Sequence, residues 1–342
     1  MSDRLTRDVS DVARKWVPDP RLGVFEVTVE PQRLAGCTTS RDALGALRAL
    51  AATTGRAPDL RLLPDSSVQG EAVAVVTAAV APLLREPRIT ADRVSEALPG
   101  ETLTLLERRE GGWLRVRVAD GYHAWTHTGY VVAGPDDWAD DWRARATARS
   151  LGAELRFEDQ RFRLPVGARC VVRRGGQVET ADGRCWSVHT GVVRPDAEVR
   201  AEARLLAPPE WALRWLSGAP YMWGGRTEWG LDCSGLVQTT YAARGVSLPR
   251  DSDLQSLAGR EVTIHPDGEG YEAGDVLCFA DGRRVSHVAL WAGAGRIVHA
   301  ALSRGGVASD DLLGDAPGMK RLREFLVAVR RVGQSDSRTV GP

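Results

Sequence analysis

Between about residues 71 and 199 the apolar pattern never lasts longer than a short strand. Runs such as ETLTLLERREGGWLRVRV (101–118) and DGYHAWTHTGYVV (120–132) alternate apolar with polar residues and are cut by glycine-bearing turns. Successive side chains of a strand point to opposite faces, so this alternation restricts the stretch to small, curled antiparallel sheets. A fainter series of the same kind, FRLPVGARCVVRRGGQVETADGRCWSVHTGVV (162–193), follows a tryptophan-rich helical stretch, DDWADDWRARA (136–146). Two small β-barrels are expected, over 71–135 and, with the linker helix, over 136–206.

At 342 residues the chain exceeds one ordinary core, so flanking units are required. Residues 1–70 mix a strand-like run, GVFEVTV, with a helical one, SRDALGALRALAATTG, and read as a small α/β segment. The prolines of APPEWALRWLSGAP mark a boundary near residue 207, leaving 207–342 as an α+β domain. Lys+Arg and Asp+Glu are both 45. That balance supplies no net field to recruit nucleic acid or an anionic membrane. The start, MSDRLTRDVSDVARKW, lacks a signal-like apolar stretch, so a cytoplasmic protein is expected. Five widely spaced cysteines without a CxxC pair fit reduced thiols, with neither cofactor nor metal implied.

One cysteine sits where chemistry is favoured. In WGLDCSGLVQTTYAARG (229–245) the spacing of Leu236, Val237, Thr240 and Tyr241 predicts an amphipathic helix from about Cys233 to Arg244, capped by Asp232 and stopped by Gly245. Free amides and the helix dipole in that first turn favour a thiolate. The alternative is that Cys233 packs a core, as Cys278 in GDVLCFA is expected to do. A nucleophilic cysteine needs a base and a group to orient it. His287 and His299, in VSHVALWAGAGRIVHAA, fall on two strands of one hairpin. A two-residue loop at Gly293-Ala294 would put them on opposite faces. A three-residue loop with a left-handed glycine puts them on one face, and this is the expected arrangement. Two competing readings are isolated, satisfied polar histidines and a Cys/His/His zinc site, the latter lacking a fourth ligand.

These residues carry a pattern that resembles the NlpC/p60 cysteine peptidases, a papain-like family that cleaves bacterial cell-wall peptides. The resemblance spans PYMWGG (220–225), LDCSGLV (231–237), LPRDSDLQ (248–255), AGDVLCF (273–279), HVALW and IVHA. The two β-rich stretches resemble bacterial SH3-like domains, and the combination resembles cytosolic γ-D-glutamyl-L-diamino acid endopeptidases of cell-wall peptide recycling. Ala289 and Trp291 stand where the family often has glycine and tyrosine. The resemblance implies Cys233 as nucleophile, His287 as base and His299 as the orienting third member.

The implied substrate is a soluble murein peptide, L-Ala-γ-D-Glu-diamino acid, whose free ammonium would be selected by a carboxylate. Asp251 is the first choice for that role, with Asp232 and Ser234 beside the nucleophile also contacting substrate. Each has a structural alternative in helix capping. Tyr221 is either a hydroxyl donor to the oxyanion or core. Tyr122 and Glu96, from the first barrel, are implied as a lid and a second acid; the alternatives are a half-buried turn aromatic and a solvated acid. Two other functions stay open: a non-catalytic wall-peptide-binding protein, and an acyltransferase or amidase on the same scaffold.

Overall fold

The computed structural model describes residues 2–282 and 284–333. The first unit packs helices Ser2–Trp16 and Arg41–Thr53 against a three-stranded sheet, Phe25–Val29, Arg33–Thr38 and Ala57–Leu62. Leu5, Val9, Leu34, Leu47 and Ala51 form its core. A seven-stranded sheet follows between Val73 and Gly134, curled around Ala74, Val76, Leu83, Leu103, Leu105, Leu114 and Val116. The linker helix, Asp136–Arg145, is held to it by Trp142, whose indole N–H donates to the Gly100 carbonyl at 3.0 Å. In the next unit the long strand Ala148–Phe157 pairs with both Arg169–Val172 and Cys185–Pro195, so the five-stranded sheet closes on itself around Leu155, Leu164, Cys170 and Trp186.

The unit expected to end at residue 206 shares a core with the one after it, to which Leu151 and Val166 also contribute. Helix Asp196–Leu205 buries Val199 and Ala203 in the same core as Trp211, Leu236 and Val288 of the last unit. Pro208 and Pro209 occupy the first turn of helix Pro208–Leu216, where the missing N–H groups cost nothing, so they open a helix instead of ending a domain.

The last unit is a six-stranded antiparallel sheet in the order 260–262, 326–331, 276–281, 284–293, 296–301, 306–311. Helix Cys233–Ala243 packs across it through Leu236 and Val237 against Val276, Val288, Leu290 and Val298. The helix starts because the Asp232 carboxylate accepts from the Gly235 N–H at 2.7 Å, and it stops at Gly245, whose φ of +82° suits glycine. It is not amphipathic. Gln238 and Thr239, on the side away from the sheet, are also buried: Gln238 donates to Asp120 of the first barrel at 2.7 Å and Thr239 to the Arg226 carbonyl at 2.9 Å. Neighbouring units cover the face that an isolated domain would leave to water. Among the described residues no helix is long and apolar enough to cross a membrane.

The hairpin that carries both histidines reaches the expected parity by another device. Its loop is the two-residue turn Ala294-Gly295, both with positive φ (48° and 78°). Gly293 pairs with Arg296, yet Trp291 pairs with Ile297 and Leu290 with Val298, so Ala292 is an extra residue in one strand. This bulge shifts the register by one and returns His287 to the face of His299, diagonally across the ladder. That face also carries Ala289, Trp291 and Ile297, whereas Val288, Leu290 and Val298 meet the helix. Ala289 and Trp291 are thus packing residues, Trp291 edge-on to Tyr271 at 5.2 Å.

The helix and the loop before it approach so closely that a β-carbon at Gly235 would lie 2.2 Å from the Gly225 carbonyl oxygen. Gly235→Ala is expected to cost about 1–3 kcal/mol, read as a lower urea midpoint; an unchanged midpoint would show that the loop yields freely.

Candidate active site

Asp232 is the most heavily bonded side chain of the region. Beyond its cap on Gly235, it accepts from the Gly224 N–H at 2.8 Å and, through both oxygens, from Arg250 at 3.0 and 2.7 Å. Burial would raise its pKa, but Arg250 and these amides outweigh burial and hold it below the ordinary carboxylate value. Arg250, buried as well, also donates to Ser234 at 2.8 Å and to Ser95 of the first barrel at 3.0 Å. Asp232 and Ser234 therefore do cap or brace the helix start, and they sit on either side of Cys233 while doing so.

Cys233 is 6% exposed. Burial, then the Asp232 charge, push its thiol up to about 11, against the pull of the Val288 N–H that bonds the sulfur. Burial, and after it the Asp232 charge beside the sulfur, outweigh the pull of the helix-end Ser234 N–H, so the helix N-terminus does not bring the thiol down as expected. Val288 directly follows His287. The ladder between the two hairpin strands runs in from the turn only as far as the Leu290–Val298 pair, and the Val288 N–H that acts on the sulfur lies beyond it.

Across the sheet, His287 Nε2 stands 2.8 Å from His299 Nδ1, and His299 Nε2 stands 3.0 Å from Asp310 Oδ2. Asp310 lies on strand Gly306–Asp311, where His299 pairs with Ala308, so Asp310 is two residues on and shares its face. Its other oxygen accepts from Arg304 at 2.9 Å. Burial and repulsion from His299 lower His287 to about 3. Burial also lowers His299, although Asp310 acts against it. Both imidazoles are thus neutral, and among the described residues no hydrogen bond joins either ring to the Cys233 sulfur. Asp310 escaped the sequence reading because no motif marks it; only the register of a third strand brings it in.

Tyr221 is half-buried, fixed through its N–H to the Gly305 carbonyl at 2.9 Å, and raised to about 12 by burial followed by the Cys233 and Asp232 charges. Its phenol therefore keeps its proton and remains a donor. Tyr122 is buried at the turn preceding strand His123–His127 and is likewise raised to about 12 by burial, then by Asp251. Asp251 makes no capping bond with its side chain; its Oδ2 accepts from Arg21 of the first unit at 2.8 Å. Glu96 is neither solvated nor free. It is buried, accepts from Arg93 at 2.6 Å and from the Arg226 N–H at 2.9 Å, and so fastens the first barrel to the loop before Cys233. Cys278 is fully buried, as expected, and all five cysteines are free thiols.

Residues 218–323 match the NlpC/P60 family. The chain carries an NlpC/P60 domain. Ahead of it, residues 83–128 match the bacterial dipeptidyl-peptidase Sh3 domain. The chain is 40% identical over 85 residues to the gamma-D-glutamyl-L-lysine dipeptidyl-peptidase of Bacillus subtilis, which covers 24% of this chain and 27% of that protein. The similarly named protein of Bacillus cereus is also 40% identical, over 24% of its length. The chain thus spans about a quarter of these two relatives. Dipeptidyl-peptidase 6 of Lysinibacillus sphaericus is 27% identical over 253 residues, 67% of this chain and 88% of that one. In fold, the chain resembles an NlpC/P60 family protein from Bacillus cereus, with a TM-score of 0.60, 20% identity, and coverage of 76% of this chain and 99% of that one.

The Asp232–Arg250 pair makes a direct test of how the NlpC/P60 domain is held to its barrel. Arg250→Ala leaves a buried carboxylate without its cation and is expected to cost about 3–5 kcal/mol, seen as a fall in the denaturation midpoint. A loss below about 1 kcal/mol, the level of a surface pair, would contradict this placement.

Proposed function

We propose that the protein is a cysteine peptidase that hydrolyses the γ-D-glutamyl bond of soluble murein peptides beginning with a free L-Ala. The observation that supports it most is the bonded series His287, His299 and Asp310, whose first member directly precedes Val288, the residue whose N–H acts on the Cys233 sulfur. Anionic Asp310 accepts only, so His299 carries its proton on Nε2 and presents a bare Nδ1. That nitrogen accepts from His287 Nε2–H, which leaves His287 Nδ1 as the free base. Three side chains in line thereby select one tautomer of the imidazole nearest the nucleophile.

Catalysis starts from a neutral thiol and a neutral imidazole. As the sulfur attacks the γ-carbonyl, its proton passes to His287 Nδ1 and the carbonyl oxygen becomes an oxyanion held by the Cys233 N–H and the Tyr221 hydroxyl. His287 then gives that proton to the leaving amine of the diamino acid. Water, deprotonated by the same nitrogen, attacks the thioester and releases L-Ala-D-Glu with the thiol restored. Asp251 receives the substrate ammonium under Tyr122, while Glu96, with both oxygens engaged, braces the barrel that supplies this lid. The five-stranded closed sheet is a second SH3-like barrel in this reading, and the site of action is the cytoplasm, where such peptides are recycled. The similarity to gamma-D-glutamyl-L-lysine dipeptidyl-peptidases of Bacillus supports the bond chosen.

L-Ala-γ-D-Glu-diaminopimelate incubated with the protein is expected to yield L-Ala-D-Glu, with at least about 10⁴-fold loss in Cys233→Ala and about 10²-fold slower cleavage of the N-acetylated peptide. Equal turnover by Cys233→Ala would exclude the nucleophile; equal cleavage of both peptides would exclude the ammonium site.

A further inference from the structure

The first unit is distant in sequence from the reactive cysteine, yet one of its side chains reaches the aspartate proposed to select substrate. The loop 18–23 lies against the turn that carries Tyr122: the His123 N–H donates to the Arg21 carbonyl at 3.0 Å, and the His123 ring stands 2.8 Å from the Pro20 carbonyl oxygen. From that anchored backbone the Arg21 side chain, half-buried, crosses to the segment following Arg250. Its Nη1 donates to Asp251 Oδ2 and to Asp253 Oδ1, both at 2.8 Å. Its Nη2 bonds Asp253 at 3.0 Å and Asp19 at 2.6 Å, and its Nε bonds Asp19 at 2.9 Å. Arg284 adds a second cation to Asp253 at 2.8 Å.

We propose that Arg21 is a positioning residue for the ammonium site, and that the first unit is thereby a working part of specificity. This rests on the reading of Asp251 given above. Three carboxylates converge on one planar fork, which fixes them in a way a freely rotating ammonium would not. Without the fork, Asp19, Asp251 and Asp253 repel one another and Asp251 turns away. With it, Oδ2 of Asp251 is committed to Arg21, and Oδ1 is the oxygen left for the ammonium of L-Ala. Asp253 and Arg284 absorb the remaining charge, so Asp251 faces the ligand as a single oriented acceptor.

The test compares wild type, Arg21→Ala, Arg21→Gln and Arg21→Lys on the free and N-acetylated peptides, with the denaturation midpoint of each. Arg21→Ala and Arg21→Gln are expected to raise KM for the free peptide about tenfold, the scale of one charge-assisted bond, with kcat within about twofold. Both leave cleavage of the acetylated peptide unchanged, and Arg21→Lys recovers part of the loss. Three outcomes overturn the inference while wild type still prefers the free amine. One is an unchanged KM in both variants. Another is a lower KM, which would make Arg21 a competitor for Asp251. The third is an equal loss on both peptides with a fallen midpoint, the mark of a merely structural contact. A wild type that cleaves both peptides equally overturns the Asp251 reading itself and this inference with it.

Discussion

The buried pair between Asp232 and Arg250 is the joint on which the other elements turn. One carboxylate ends a loop, starts a helix and neutralises an arginine that reaches into the first barrel. Two charges are taken out of water together, and such a pair tolerates the loss of neither member. Its position beside Cys233 means that anything disturbing the barrel contact also disturbs the first turn of the Cys233 helix. Burial and, after it, the charge of the same carboxylate raise the thiol, despite the helix-end Ser234 N–H that favours its anion.

The antiparallel sheet supplies what the helix withholds. Neighbouring strands offer side chains to one face at fixed intervals, and a diagonal step from each strand to the next sets His287, His299 and Asp310 in hydrogen-bond contact. A protonated first imidazole would face a second one with no charge to spare, and burial penalises it further. The proposed nucleophile and base are therefore both neutral at rest, and in the proposed reaction charge separation awaits the developing oxyanion and its donors. Such a thiol is shielded from adventitious oxidation, which acts on thiolates.

Much of this was legible in the residues. The cap, start and stop of the helix follow from Asp232, Cys233 and Gly245, and the parity of the two histidines follows from the need for an odd residue in the hairpin. The device was not legible, because a bulge at Ala292 and a longer loop give the same alternation. The all-round burial of the helix was missed for a related reason: periodicity reports a helix's own faces and not which neighbouring unit covers Gln238. Asp310 and Arg21 were invisible since each acts across contacts that only the folded chain creates. The thiol's pKa went the other way from expectation because burial, which only the folded chain creates, outweighs the helix-end amide.

The proposed base depends on a chain of tautomers, which nitrogen-15 spectroscopy of labelled histidine side chains observes directly. In the substrate-free protein at pH 7, His287 and His299 should both appear as neutral rings protonated on Nε2, with the Nδ1 of His287 bare. A proton on His287 Nδ1, or an imidazolium at either position, would contradict it.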